Sequence, residues 1–372
     1  MTQPETILEA RDLRREFVTH KPLFGKATVV RAVDGVDLRI LSGETFAIVG
    51  ESGCGKSTLA RMLVRLIEPT AGAIIYRGQD ISAASPKEFR ALRRDLQFIF
   101  QDPFSSLNPR MTVGALVEEP LRTHGLGTAS ERRAKVAEML ARVGLSPQHA
   151  NRYPHEFSGG QRQRVGIARA LITEPKVLVG DEPVSALDVS IQAQVVNILQ
   201  DLKSEFGLTL TIIAHDLAVI RHMADRVGVM YLGEIVEVAW AEALFDAPLH
   251  PYTEALAAAI PLPQISERKA RPRISGDPPN PINPPPGCRF HTRCPYVIDR
   301  CKTERPVLQP AGNDREVACH RASELTLTGL SGGDQRRSPA AARRFSLYRQ
   351  ARENHDDPIS TNHKKGRITN AT

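Results

Sequence analysis

Along the first 260 residues, short apolar runs alternate with stretches in which apolar side chains recur every three or four positions. Residues 36–40 and 45–49 are brief and β-branched, and the turn Leu41-Ser42-Gly43-Glu44 divides them, which predicts two strands. Over 57–66, Leu59, Met62, Leu63 and Leu66 fall on one helical face. The runs 96–100, 177–179, 208–214 and 227–230 are largely apolar, as strands covered on both faces are, and helical stretches separate them. That alternation predicts an α/β fold around a mainly parallel sheet. Strand signals lapse between 101 and 158, where helices such as 130–143 dominate, so a helical subdomain is expected over about 102–172.

After residue 260 the composition changes. Nine prolines between 261 and 286 exclude a regular helix or a central strand there and mark a linker and a small loop-rich module over 261–322. From 323 to 372, Ser, Arg, Gly, Ala and Asn with few large apolar side chains read as a disordered basic tail. The expected organisation is therefore a sheet domain over 1–260, the module, and the tail.

Length and charge narrow the class. A chain of 372 residues that is 41% hydrophobic has material for sizeable cores. No run approaches the roughly 18 apolar residues of a membrane span, and the charged first 15 residues lack a signal-peptide core, so a cytosolic chain is expected, acting on any membrane from its surface. The net charge of +7 is concentrated at the end, where residues 321–372 carry ten Lys/Arg against five Asp/Glu. The nearly balanced body gives no basic face for nucleic acid. Arg336-Arg337 and Arg343-Arg344 are read as solvated tail residues. Cys54 stands alone, while Cys288, Cys294, Cys301 and Cys319 share a 32-residue window; in a reducing compartment such a group suggests a metal or cluster site before disulfides.

The chemistry starts at Gly50-Glu51-Ser52-Gly53-Cys54-Gly55-Lys56-Ser57-Thr58, between a predicted strand and a predicted helix. Its glycines let the backbone fold back so that N–H groups and the positive end of the helix converge on phosphate oxygens. Lys56 should reach the β and γ phosphates and Ser57 should give its hydroxyl to Mg²⁺. Cys54 is read as a small neutral residue at a variable position. Further on, the apolar run 177–179 leads into Gly180 and the two acids Asp181 and Glu182. Neighbours on a strand point to opposite faces, so these two share one side only if the strand ends between them. Asp181 is assigned to the magnesium, through water, and Glu182 to the base that orients the attacking water.

Phe157-Ser158-Gly159-Gly160-Gln161 lies 20 residues before Asp181 and resembles the signature of ATP-binding cassettes, with Phe157 where leucine is usual. Ser158 and the N–H groups of Gly159 and Gly160 precede a predicted helix over 161–171, a second anion-binding helix start. The resemblance implies a P-loop NTPase with a RecA-like core, an antiparallel β-subdomain and the inserted helical subdomain. It also implies ATP and Mg²⁺, and two cassettes dimerised head to tail so that each signature covers the nucleotide of the other. By the same resemblance Gln101 matches the Q-loop glutamine that senses Mg²⁺ and water, Ser185-Ala186-Leu187-Asp188 the D-loop, and His215 the switch histidine. Phe17 is the candidate for stacking on adenine, with Phe24 in the nearby loop as the other.

The sequences Phe100-Gln101-Asp102-Pro103-Phe104-Ser105-Ser106-Leu107-Asn108-Pro109-Arg110, Asp181-Glu182-Pro183-Val184-Ser185-Ala186-Leu187-Asp188-Val189-Ser190 and Pro248-Leu249-His250-Pro251-Tyr252-Thr253 narrow the likeness to ATP-binding subunits of oligopeptide/dipeptide importers, of the F type. Pro281-Ile282-Asn283-Pro284-Pro285-Pro286-Gly287-Cys288-Arg289-Phe290 belongs to the same likeness, which spans about residues 5–320. It implies an ATPase at the cytoplasmic face of the inner membrane, a related D-type ATPase as companion, two permease subunits and an extracytoplasmic peptide-binding protein. Nickel or another small solute is the alternative cargo. A soluble cassette acting on ribosomes or DNA is the alternative class. Only 56 residues separate Gln101 from Ser158 and no second phosphate loop occurs, which favours transport. The four late cysteines leave three readings open: a 4Fe-4S cluster, as some members of the resembled family hold, zinc, or reduced thiols that pack the module, with His291 and His320 as substitute ligands.

Overall fold

The computed structural model describes residues 5–20, 28–185, 187–214, 216–260 and 276–330. His215, Ala186, Phe24, the basic pairs of the tail and most of the linker lie outside the described residues. Two sheets organise the rest. The first has the order β2-β1-β4-β5, built from β1 (Thr6–His20), β2 (Thr28–Leu41), β4 (Ala71–Tyr76) and β5 (Gln79–Asp80). All of its pairings are antiparallel, as the family likeness implied. Alternate side chains of β1 and its partners, among them Leu8, Ala10, Leu38, Ile40 and Ile74, are buried. Between Ala10 and Leu13 a bulge shifts the register and Asp12 takes a φ of 40°, so the period of two is broken inside β1.

The second sheet runs β11-β12-β10-β9-β3-β8-β7-β6. Its parallel centre consists of β3 (Thr45–Val49), β6 (Leu96–Ile99), β7 (Val177–Asp181), β8 (Thr209–Ile213) and β9 (Arg226–Tyr231). Every residue of β3, β7, β8 and β9 is buried, which is why these strands read as mainly apolar runs. β10 (Glu234–Trp240) returns antiparallel beside β9. Because β3, β6, β7 and β8 are parallel, their carboxyl ends share one edge of the sheet, the place where open α/β sheets bind ligands.

Helix α1 (Lys56–Leu63) follows β3 and stops three residues before the predicted end. Arg65 turns left-handed there, at φ 50°, and its guanidinium donates to the carbonyls of Ile81 and Ala84. A short helix α2 (Pro86–Leu92) leads into β6. Between β6 and β7 come α3 (Val113–Thr123), α4 (Ala129–Arg142) and α5 (Gly159–Leu171), the expected helical insertion. Their buried faces, with Leu116, Val117, Leu140, Phe157 and Ile167, join the core that continues under the parallel sheet. After β7 follow α6 (Val189–Phe206), α7 (Leu217–Met223), α8 (Ala241–Asp246) and α9 (Pro251–Ala258).

Residues 276–330 are loop-rich, with α10 (Asp299–Thr303) and two short strands, β11 (Gln309–Pro310) and β12 (Glu316–Val317). β12 pairs with β10, so this segment extends the main sheet and shares one compact unit with the residues before it. Four arginines fasten it: Arg289 to Asp34 and Glu234, Arg293 to Glu51, Arg305 to Glu234, and Arg315 to Glu237. Among the described residues no helix is long and apolar enough to cross a membrane.

Candidate functional site

The loop from Gly50 to Gly55 turns tightly because three of its residues adopt positive φ: Gly50 at 153°, Gly53 at 77° and Gly55 at 108°. Space as well as torsion demands glycine at two of them. A Cβ on Gly50 would lie 2.1 Å from the carbonyl oxygen of Met230, and one on Gly55 would lie 2.0 Å from that of Ala32. Lys56 opens α1 and folds back over the loop, its Nζ donating to the carbonyls of Gly50 and Glu51, both at 2.8 Å. Cys54 is buried beneath, its Sγ 3.8 Å from that ammonium, and burial pushes its thiol up.

Ser57, on the next turn position, donates its hydroxyl to Oδ1 of Asp181 at 2.7 Å. Asp181 is the last residue of β7, fully buried, and Arg61 donates to its other oxygen at 3.2 Å. Glu182 then leaves the strand with a φ of 46°, and its carboxylate accepts from Nε2 of Gln101 at 3.0 Å. The strand ends between the two acids, the condition under which both can face one side. A hydroxyl and a carboxylate side by side are hard oxygen donors of the kind Mg²⁺ takes. Phosphate loop, Ser57, Asp181, Glu182 and Gln101 thus gather at the carboxyl edge of β3, β6 and β7.

Ser158 lies elsewhere. It is the N-cap of α5, where its Oγ accepts from the N–H of Gln161 at 3.3 Å and its own N–H donates to Oε1 of Gln161 at 3.0 Å. This capping box starts the helix at Gly159, two residues before the expected start at Gln161. The first turn rests on the segment after β7: a Cβ on Gly160 would meet Ile191 at 2.6 Å, and one on Gly159 would meet Leu187 at 3.9 Å. Ser185 folds back on the carbonyl of Glu182 through both its N–H and its hydroxyl, and Asp188 stands at the N-cap position of α6, exposed and without a side-chain hydrogen bond to the helix. Among the described residues no hydrogen bond joins Ser158, Gly159, Gly160 or Gln161 to residues 50–58. Phe17 is on β1 opposite Val30, half-buried, with the Arg15 guanidinium 4.7 Å above its ring.

Three contacts of the site carry no local sequence signal or only a weak one. Arg61 follows Ser57 by one helical turn, which puts both on the face that meets Asp181. Tyr252 accepts from the N–H of Glu51 at 2.8 Å through its hydroxyl. Arg293 grips the Glu51 carboxylate with two parallel bonds of 2.7 and 2.9 Å. Behind the loop the rings of Tyr231, Tyr252 and Phe290 form a cluster with centroids 4.6–5.4 Å apart.

The four late cysteines, all unbridged, line one cavity together with His250, Phe290, His291, Tyr296 and His320. Burial raises the Cys288 thiol to about 12 and the Cys294 thiol to about 11, and shifts Cys319 the same way. His291 is bound through Nδ1 to the Cys288 carbonyl and His320 through Nε2 to that of Glu304. Among the described residues no three His, Cys, Asp or Glu side chains converge as ligands of one metal ion, so neither the zinc nor the 4Fe-4S reading gains support from it.

Comparison with known proteins bears on both parts. The family profile described as "ABC transporter" matches residues 33–185, and that described as "Oligopeptide/dipeptide transporter, C-terminal region" matches 236–301. The chain is 53% identical over 320 residues to the oligopeptide transport ATP-binding protein AppF of Bacillus subtilis, covering 85% of this chain and 97% of that one. It is 51% identical to the di/tripeptide transport ATP-binding protein DppF of Pseudomonas aeruginosa, over 86% of this chain and 99% of the other. With the oligopeptide transport ATP-binding protein OppF of Escherichia coli the identity is 52%, over 86% and 98%. A solved dimeric ATP-binding cassette, bound to ADP and phosphate after hydrolysis, superposes with a TM-score of 0.58 at 30% identity, covering 63% of this chain and 99% of that one.

Proposed function

Since this chain belongs to the ATP-binding cassette family, among the ATP-binding subunits of oligopeptide and dipeptide transporters, we propose that its ATP hydrolysis drives import of short peptides through separate permease subunits. One observation carries the reading. A phosphate loop, a Ser57–Asp181 pair and a Gln101–Glu182 pair meet at one sheet edge, while the signature at Ser158 stands apart from them.

The loop N–H groups and Lys56 bind the triphosphate, and Phe17 stacks on the adenine. Ser57 and Asp181 would hold Mg²⁺, the serine directly and the aspartate through water, and the bound ion would supply positive charge to the β and γ phosphates. Glu182 accepts a proton from the attacking water, and Gln101, which donates to the same carboxylate, aligns it. The signature residues Ser158, Gly159 and Gly160 complete the site of a second subunit, a related D-type ATPase, and Asp188 faces that junction. The dimeric state of the similar solved cassette supports this pairing. Closure of the pair moves Gln101 and the helical insertion, which pass the motion to the two permeases at the cytoplasmic face of the inner membrane. An extracytoplasmic binding protein selects the peptide.

A 4Fe-4S cluster on Cys288, Cys294, Cys301 and Cys319 has in its favour their gathering around one cavity and no more. Anaerobic purification with iron and sulfide assay decides between it and reduced packing thiols.

Transport is tested in the producing cell. Deleting the gene abolishes uptake of labelled di- and oligopeptides, the wild-type gene restores it, and Lys56→Ala does not. Peptide uptake that persists at full rate in the deletion strain overturns the proposal.

A further inference from the structure

The segment 276–330 reaches the phosphate loop at one point, and that point is built with unusual care. Arg293 is 6% exposed, and its two terminal nitrogens take one oxygen each of the Glu51 carboxylate, itself 26% exposed. A fork of this kind fixes direction as well as distance. The same guanidinium donates to Tyr231 at 3.3 Å, and Tyr252 takes the Glu51 N–H. Glu51 is thus held at backbone and side chain from outside its own loop, one residue after the obligatory turn at Gly50.

Glu51 also matters for Lys56, because its carbonyl is one of the two that the ammonium rests on. An unclamped Glu51 carboxylate would be free to swing toward that ammonium or to set its negative charge beside a bound triphosphate. Either outcome opposes nucleotide binding. The other docking pairs, Arg289 and Arg305 on Asp34 and Glu234 and Arg315 on Glu237, fasten the same segment without touching residues 50–58.

We propose that Arg293 is a positioning residue for ATP binding: the carboxyl-terminal segment clamps Glu51 and so holds the phosphate loop open for the triphosphate. The proposal rests on the assignment of residues 50–58 to ATP. It makes the segment a working part of the nucleotide site and gives it an effect on affinity in place of a role in chemistry, since Arg293 touches none of the reacting atoms.

The test compares the full-length wild type with Arg293→Gln, Arg293→Lys, Glu51→Gln and the Arg293→Gln/Glu51→Gln double variant, with Arg305→Ala as a control that loosens the segment away from the loop. ATP affinity is read by titration with a fluorescent ATP analogue in the presence of Mg²⁺, together with kcat, KM and Tm. Arg293→Gln raises Kd and KM about tenfold with kcat within about twofold. Arg293→Lys, which keeps the charge and loses the fork, falls between. In the double variant the loss is no greater than in Arg293→Gln alone, as coupled residues require. Arg305→Ala binds ATP like the wild type whatever its Tm. The proposal is overturned if Arg293→Gln keeps the wild-type KM, if Arg305→Ala loses as much affinity, or if the single effects add. A wild type that itself binds no ATP refutes the assignment of the loop, a result separate from these.

Discussion

Asp181 and Glu182 are neighbours in the chain and part company at the end of β7, one buried against Ser57 and Arg61, the other turned toward Gln101 by a left-handed φ of 46°. A non-glycine residue in that conformation costs on the order of 1 kcal/mol, and here the strain re-aims a carboxylate. Glu182→Gln keeps the shape and removes the base. Its hydrolysis rate should fall about 10²–10⁴-fold with ATP affinity kept, seen as bound nucleotide without phosphate release. Wild-type turnover in that variant would remove Glu182 from the mechanism. Lys56, Ser57, Asp181 and Glu182 were legible in the sequence because each sits inside a local run whose strand or helix is legible too. Arg293 and Tyr252 were not, since they reach Glu51 across more than 200 residues and nothing near either one announces the partner.

At the scale of elements, the loop between β3 and α1 depends on glycines for two different reasons. Gly53 needs only its torsion, because a Cβ there would meet nothing within 4 Å. Gly55 needs both torsion and room, with the Ala32 carbonyl 2.0 Å from the place of its Cβ. Gly53→Ala should therefore cost about 1 kcal/mol in stability and retain ATP binding. Gly55→Ala must push β2 away from the loop, and it should lower Tm further and abolish binding. Calorimetry and nucleotide titration of the two variants check this, and equal behaviour would mean that the contact with β2 does not shape the loop. The parallel strands were readable because burial on both faces leaves few polar positions. β1 was not, because its bulge near Asp12 breaks the alternation that would have marked it. The start of α5 was misplaced by two residues for a similar reason: two glycines of poor helix propensity are drawn into the helix by the Ser158–Gln161 box.

At the scale of the whole molecule, the seam between the sheet domain and residues 276–330 contains a buried histidine whose charge state the fold fixes. His250 is 1% exposed; its backbone N–H donates to Glu237 on β10, its Nδ1 accepts from the N–H of Tyr252 at the start of α9, and its ring lies 5.8 Å from that of Phe290. Burial pulls its pKa from the ordinary 6.5 down to about 3, so the folded chain holds it neutral. The unfolded chain takes up a proton near pH 6.5. The stabilisation is therefore complete above that pH and is lost as the pH falls toward 3, at up to about 1.4 kcal/mol per pH unit. Glu237 works in the other direction: burial raises its carboxyl, so its share is present in acid and lost as the pH rises, and it cannot produce the acid loss. His250→Asn keeps a side chain able to cap α9 and removes the titration. The stability advantage of the wild type over this variant, measured by thermal unfolding of the full chain, should shrink between pH 7.5 and 4.5 with the slope of one proton. An advantage that stays constant over that range would show that the seam does not exclude the charge. Because Tyr252 and Phe290 also back the phosphate loop, the same acidification should weaken ATP binding before the sheet domain itself unfolds.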